Sequence, residues 1–215
     1  MSATDTDNPF LEPGRLLFAR PATFIKGAVK LDQLPPMETL EIAFAGRSNA
    51  GKSSLVNALT GRKTLAKVSN TPGRTQEINF FDLDGAVTLV DLPGYGFAQA
   101  PEAKVKAWTR LIKAYLRGRA NLARVFVLVD GRHGIKANDA EVLDEFDKAA
   151  VSYQVVLTKA DQLKAHERAE RLAATDAALA RRPAAFPEVL MTSARSGEGV
   201  PELRAAVARL LSERR

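Results

Sequence analysis

Cysteine is absent from the 215-residue chain, and histidine occurs only as His133 and His166. The first absence excludes disulfides and thiolate-bound zinc and fits a reducing compartment. The second leaves too few imidazoles for a histidine-based metal centre. No apolar run approaches the roughly 20 residues that a membrane-spanning helix requires. The amino terminus, Met1-Ser2-Ala3-Thr4-Asp5-Thr6-Asp7, is polar and acidic, without the basic start and apolar stretch of a secretion signal. A cytoplasmic protein is expected. Negative charge is in deficit, with 25 Asp and Glu against 31 Lys and Arg, for a formal net charge of +6 and a pI near 9.7. Such a balance favours contact with polyanions, RNA among them. With 46% hydrophobic residues, the chain is long enough for one well-buried core.

From Leu40 onward, short β-branched or aromatic runs alternate with helical patterns, which predicts an α/β, doubly wound, mostly parallel sheet of six strands with helices on both faces. Strands are expected near 41–45, 77–83, 86–91, 124–130, 153–158 and 187–192, and helices near 52–60, 102–119, 138–150, 161–181 and 200–212. Asp84-Gly85 makes the second and third strands a hairpin, so one strand runs antiparallel to the rest. Residues 1 to about 14 read as disordered, and Leu16-Leu17-Phe18 and Phe24-Ile25 as segments packing on a neighbouring core. Residues 1–37 form a partly disordered extension in this reading, punctuated by Pro35-Pro36, and 38–215 one domain.

Gly46-Arg47-Ser48-Asn49-Ala50-Gly51-Lys52-Ser53 fills the G-x-x-x-x-G-K-[ST] pattern between an expected strand and an expected helix. In that setting backbone N–H groups and a helix N-terminus converge on phosphate, Lys52 adds a positive charge, and Ser53 offers its hydroxyl to Mg²⁺. Asp91-Leu92-Pro93-Gly94 follows a strand, so the Asp91 carboxylate can hold Mg²⁺ through water while the Gly94 N–H meets a γ-phosphate. Between them lies the polar loop Thr71-Pro72-Gly73-Arg74-Thr75-Gln76-Glu77, where Thr75 and Thr71 compete as a second hydroxyl for the metal. Thr158-Lys159-Ala160-Asp161 closes another strand. A carboxylate there accepts from the ring N–H and the exocyclic amine of guanine, while adenine leaves it unpaired. Lys159 is expected to lay its methylene stem along the base, and the backbone of Ala194 in Thr192-Ser193-Ala194 to meet the guanine carbonyl.

These motifs, with Asn79-Phe80-Phe81 and the run Asp91-Leu92-Pro93-Gly94-Tyr95-Gly96, closely resemble the EngB (YihA/YsxC) family of bacterial GTPases, within the translation-factor-related class. The resemblance spans roughly residues 16 to 210. It implies a P-loop GTPase fold, Mg²⁺-dependent GTP binding and hydrolysis, and a switch function in large ribosomal subunit assembly and in cell division and septation. It favours Thr75 over Thr71 as the magnesium threonine, so Ser53, Thr75 and Asp91 become the metal set and Lys52, Thr75, Gly94 and Asn49 the catalytic set. Two departures from general GTPases stand out. Thr158 replaces the usual asparagine of the base motif, which shortens a bridge to the phosphate loop. Tyr95 stands where many GTPases carry the glutamine that positions water, so slow turnover is expected. Asn49 matches the loop asparagine of potassium-activated GTPases, which makes K⁺ an expected activator.

Downstream, Lys106, Arg110, Lys113 and Arg117 recur at helical spacing, opposite Val105, Trp108, Ile112 and Tyr115. This basic stripe is a candidate surface for rRNA phosphate, on a protein expected to be monomeric. Trp108, Phe80 and Phe81 read as core, and His133 and His166 as solvated residues without a catalytic role. The competing readings are a guanine-nucleotide-dependent binding module of the division septum, with incidental turnover, and an ATP-using phosphoryl-transfer enzyme, which Asp161 disfavours.

Overall fold

A computed structural model describes residues 8–62, 65, 77–95 and 102–214, with the backbone alone for 102–108. In chain order its elements are α1 (Leu11–Ala19), β1 (Ala22–Ala28), β2 (Glu41–Gly46), α2 (Lys52–Thr60), β3 (Ile78–Leu83), β4 (Thr88–Asp91), α3 (Glu102–Gly118), β5 (Leu122–Asp130), α4 (Ala137–Lys148), β6 (Tyr153–Thr158), α5 (Ala165–Leu179), β7 (Leu190–Met191) and α6 (Val200–Glu213). One sheet has the order β1-β3-β4-β2-β5-β6-β7. The pairings β1·β3 and β3·β4 are antiparallel and the remainder parallel, so β3 alone runs against the others.

The sheet has seven strands among the described residues, one more than the sequence pattern predicts. The additional strand is β1, whose residues Phe24 and Ile25 are exposed. Although Phe24 packs edge-on against Phe81 with ring centroids 5.5 Å apart, this edge strand is buried only at its two ends and lacks the alternation of a half-buried strand, so periodicity misses it. Helix α1 begins at Leu11 and buries Phe18, so residues 11–14, read from sequence as disordered, open a helix instead. Helix α1 packs against α6, and β1 pairs with β3.

The strand period divides the core in two. In β2, Ile42 and Phe44 join an apolar cluster with Phe18, Leu55, Leu59 and Leu203, which covers the face of α1, α2 and α6. Ala43 and Ala45 point the other way, into a cluster with Tyr115, Phe146 and Leu179 from α3, α4 and α5. Phe81 and Phe80 likewise enter opposite clusters and are buried, as their core reading requires. The predicted hairpin forms at Asp84-Gly85, both at positive φ, with the Asp82 carboxylate accepting from the Gly85 N–H at 3.1 Å.

Two elements differ from their sequence bounds for identifiable reasons. Strand β7 is only Leu190–Met191, because Pro187 carries no N–H for a ladder. Helix α5 starts at Ala165, since Lys159 is left-handed and Leu163 extended, and the Glu167 carboxylate accepts from the Lys164 N–H at 2.7 Å to begin the helix there. Among the described residues, no helix is long and apolar enough to cross a membrane.

A buried ion pair ties α3 to the middle of the sheet. Arg119, just past the end of α3, pairs with Glu41, which is 1% exposed. Tyr115 donates to the same carboxylate at 2.8 Å, and Arg119 reaches the Pro35 carbonyl at 2.8 Å and lies over the Phe80 ring. Removing one member leaves the other charge stranded in the core. Arg119→Ala is expected to lower stability by about 3–5 kcal/mol in urea unfolding. Lys113→Ala, which breaks the surface pair with Glu145, should cost less than about 1 kcal/mol.

Candidate nucleotide site

The carboxyl ends of β2, β4, β5 and β6 meet at one edge of the sheet, where a doubly wound fold binds its ligand. Strand β2 ends at Gly46 and α2 opens at Lys52, so the five residues 47–51 form the turn. Asn49 (φ 67) and Gly51 (φ 87) take left-handed backbone conformations. For Gly51 that conformation lets the chain enter the helix with its first N–H groups facing the turn.

Neighbouring segments hold this loop from several sides. Tyr95 donates its N–H to the Gly46 carbonyl at 3.2 Å and accepts from the Ser48 N–H at 3.1 Å, while Leu92 donates to Phe44 at 3.0 Å. The segment Leu92-Pro93-Gly94-Tyr95 therefore runs alongside the loop as an extension of the sheet. From β6, the Thr158 hydroxyl donates to the Ala50 carbonyl at 2.6 Å. Threonine is shorter than the asparagine common at this position, yet the bridge to the loop is made. The Lys159 ammonium donates to the Asn49 carbonyl at 2.7 Å and to Asp130 at 2.8 Å, so its stem spans from the base motif to the loop.

Charges within the site are matched. Lys52 pairs with Asp91, each side chain 12% exposed, and Ser53 follows Lys52 in α2. A hydroxyl and a carboxylate beside a lysine suit Mg²⁺ carried by a triphosphate, since the metal takes hard oxygen donors and few from protein. Asp130 is missed by sequence reading, although it ends β5 at the same sheet edge as Asp91 ends β4. Burial alone would raise its carboxyl, but hydrogen bonds from Arg132 and Lys159 outweigh that and hold it well below the usual carboxylate range.

The base motif and the last strand are also brought together. The Ser193 hydroxyl donates to the Asp161 carboxylate at 2.6 Å, and Ala160 donates to the Thr192 carbonyl at 3.0 Å. Arg168 of α5, another residue with no motif to announce it, donates to the Ala160 carbonyl at 2.8 Å. Asp161 is exposed, and Thr192 and Ser193 are buried beneath it. Asp161 does not cap α5, which starts four residues later. Gly73, Arg74, Thr75 and Gln76, with Thr71, lie outside the described residues, while Glu77 directly precedes β3. A cavity of about 210 Å³ flanks the loop, lined by Arg47, Asn49, Asp130, Arg132, Lys136 and Asp139 among others; neither Asp161 nor Ser193 contributes to it. His133 and His166 are exposed.

A parallel sheet with a glycine-lysine loop at its carboxyl edge, a following D-x-x-G segment and a base motif bonded to that loop defines a P-loop GTPase. The family model described as "50S ribosome-binding GTPase" matches residues 41–159. The "Probable GTP-binding protein EngB" of Rhodopseudomonas palustris (strain TIE-1) is 62% identical over 215 residues, covering 99% of this chain and 100% of the relative. That of Bradyrhizobium diazoefficiens is 59% identical over 212 residues, covering 98% of each. A crystal structure of a probable GTP-binding protein EngB superposes with a TM-score of 0.63 at 24% identity, over 80% of this chain and 99% of that one. The chain belongs to the EngB family of GTP-binding proteins and is a GTPase.

Thr158→Val keeps the side chain's shape and removes the bridge to Ala50. It is expected to lower stability by about 1–3 kcal/mol and to speed amide hydrogen exchange in residues 49–52, read by mass spectrometry. Unchanged exchange there would mean that the loop does not depend on β6.

Proposed function

We propose that this GTPase is a slow, Mg²⁺-dependent switch in assembly of the large ribosomal subunit and that it is needed for normal cell division and septation. The observation that carries the switch is the pair of backbone bonds between Tyr95 and the phosphate loop. They put Gly94 beside the loop; in this reading its N–H meets a γ-phosphate, and phosphate occupancy is coupled to the segment that leads into α3.

In this reading Lys52 neutralises the β- and γ-phosphates, and Ser53, Thr75 and Asp91 hold Mg²⁺, which spreads the charge that builds on the transferred phosphoryl. Residues 46–53, 73–77, 91–94, 158–161 and 192–194 enclose the nucleotide. Asp161, oriented by Ser193, accepts from guanine, and the backbone of Ala194 meets its carbonyl. Slow turnover agrees with Tyr95, whose hydroxyl is committed to Asp139 at 2.9 Å and is therefore not directed at an attacking water. Potassium, recruited by Asn49, would supply charge where an arginine finger otherwise would. A cytoplasmic monomer is part of the same reading.

For the partner, the support is the ribosome-binding description of the matched family, the net charge of +6, and the exposed Arg110 and Arg117 on the outer face of α3. Lys113 adds less, because it is paired with Glu145 at 2.7 Å, and the side chain of Lys106 lies outside the described residues. A septum-binding module remains the alternative reading, distinguished by its partner.

Asp161→Asn should weaken GTP by roughly 10- to 100-fold, the loss of hydrogen bonds to a charged acceptor. It should improve binding of xanthosine triphosphate, whose C2 carbonyl can accept from the new amide; no change in base preference would remove Asp161 from the base site. In co-sedimentation with purified large subunits in potassium buffer, a non-hydrolysable GTP analogue should pellet more protein than GDP does. Arg110→Glu with Arg117→Glu should reduce pelleting and its salt dependence. Equal pelleting with both nucleotides would favour the septum reading.

A further inference from the structure

Beyond the residues already given a role at the nucleotide, α4 contributes a buried carboxylate. Asp139, in the first turn of α4, is 2% exposed. One of its oxygens accepts from the Lys136 N–H at 2.9 Å, an ordinary closure of a helix start. The other accepts from the Tyr95 hydroxyl at 2.9 Å, across 44 residues of sequence. A helix start needs only the first bond. The second joins α4 to the residue that follows Gly94.

Tyr95 is thus held at both ends. Its backbone is bonded to Gly46 and Ser48 of the phosphate loop, and its ring lies in the apolar cluster with Leu92, Val127 and Leu143. Burial, then the charge of Asp139, pushes its hydroxyl far above the ordinary phenol range, against a smaller opposing effect of Arg47. The phenol therefore stays a proton donor to Asp139 throughout the neutral range. Gly94, one residue earlier, has little room: a methyl group built on it would stand 3.3 Å from the Ser48 amide nitrogen and 3.5 Å from the Gly46 carbonyl. Any swing of Tyr95 must move Gly94 relative to the loop.

We infer that Asp139 is a positioning residue for the response to GTP: by anchoring the Tyr95 hydroxyl to α4, it holds Gly94 where a third phosphate can be sensed and transmits a shift of Gly94 to that helix. The inference rests on the reading that Gly94 meets the γ-phosphate. A bond that served core stability alone would be equally useful with GDP or GTP bound. One that positions Gly94 contributes more when the third phosphate is present, and its loss alters the ratio of the two affinities.

The test uses the full chain with Tyr95→Phe, Asp139→Asn and the double variant. Dissociation constants are measured for GDP and for a non-hydrolysable GTP analogue in magnesium and potassium buffer, alongside thermal unfolding without nucleotide. Each single variant is expected to lose affinity for the analogue at least about 5-fold more than for GDP. The double variant should be no worse than the more severe single one, because both remove the same bond. Tyr95→Phe keeps the ring and its packing, so it decides the matter alone should Asp139→Asn fail to fold. A wild-type preference retained unchanged in Tyr95→Phe, whatever the change in melting temperature, would overturn the inference. A Gly94→Ala variant that loses no more affinity for the analogue than for GDP would instead defeat the γ-phosphate reading, and the inference with it.

Discussion

The nucleotide site depends on a loop whose own turn bond, from the Ala50 N–H to the Arg47 carbonyl at 3.0 Å, is supplemented by contacts from other strand ends. Residues 47–51 make a turn with left-handed backbone at Asn49 and Gly51, a conformation free for glycine and modestly costly for Asn49. The turn is braced by contacts from other strand ends: Tyr95 beyond β4 through its backbone, and Thr158 and Lys159 at the end of β6 through their side chains. Because β2, β4, β5 and β6 are neighbours in one ladder, the carboxyl edge of the sheet behaves as a single part. The rigidity of the sheet becomes the preorganisation of the site.

The same contacts set its electrostatics. Lys52 is matched by Asp91 and Lys159 by Asp130, so the two lysines are held extended and partly desolvated rather than waving in solvent. In the proposed reading an entering phosphate would compete with Asp91 for Lys52, and the carboxylate it would displace is of the kind magnesium prefers. If Asp161 reads the base, as proposed, that contact has its own support, with Ser193 orienting Asp161 and Arg168 fixing the carbonyl of Ala160. These secondary contacts restrict the acceptor to one direction, which is what discrimination between bases requires.

Much of this was legible in the chain. The loop at 46–53, the Asp91 and Gly94 segment and the base motif at 158–161 are local patterns, and each lies at a strand end where the alternation of apolar residues predicts one. The hairpin at Asp84-Gly85 and the core positions of Phe80 and Phe81 follow from equally local chemistry. Strand β1 did not announce itself, because Phe24 and Ile25 are exposed on an edge, and neither did the shortness of β7, which Pro187 curtails. Asp130, Arg168 and Asp139 carry no motif at all. Their partners are 29, 8 and 44 residues away, and single carboxylates or guanidiniums at such separations look like solvated surface.

The sequence by itself determined the groups available to this protein: a glycine-lysine loop of the phosphate-binding pattern, a carboxylate in the base motif, hydroxyl and carboxylate oxygens near the loop, and the alternation that builds a doubly wound sheet. These are properties of short segments, set by backbone preference and by which donors and acceptors a few adjacent residues carry. Only the tertiary structure decided which groups restrain one another. Thr158 still reaches the loop despite its shorter side chain, Lys159 is shared between Asn49 and Asp130, and Tyr95 is turned toward Asp139. The physical reason is that a hydrogen bond is specified by a few tenths of an ångström, while strand order and register, which bring such distant groups together, arise from the packing of the whole apolar core.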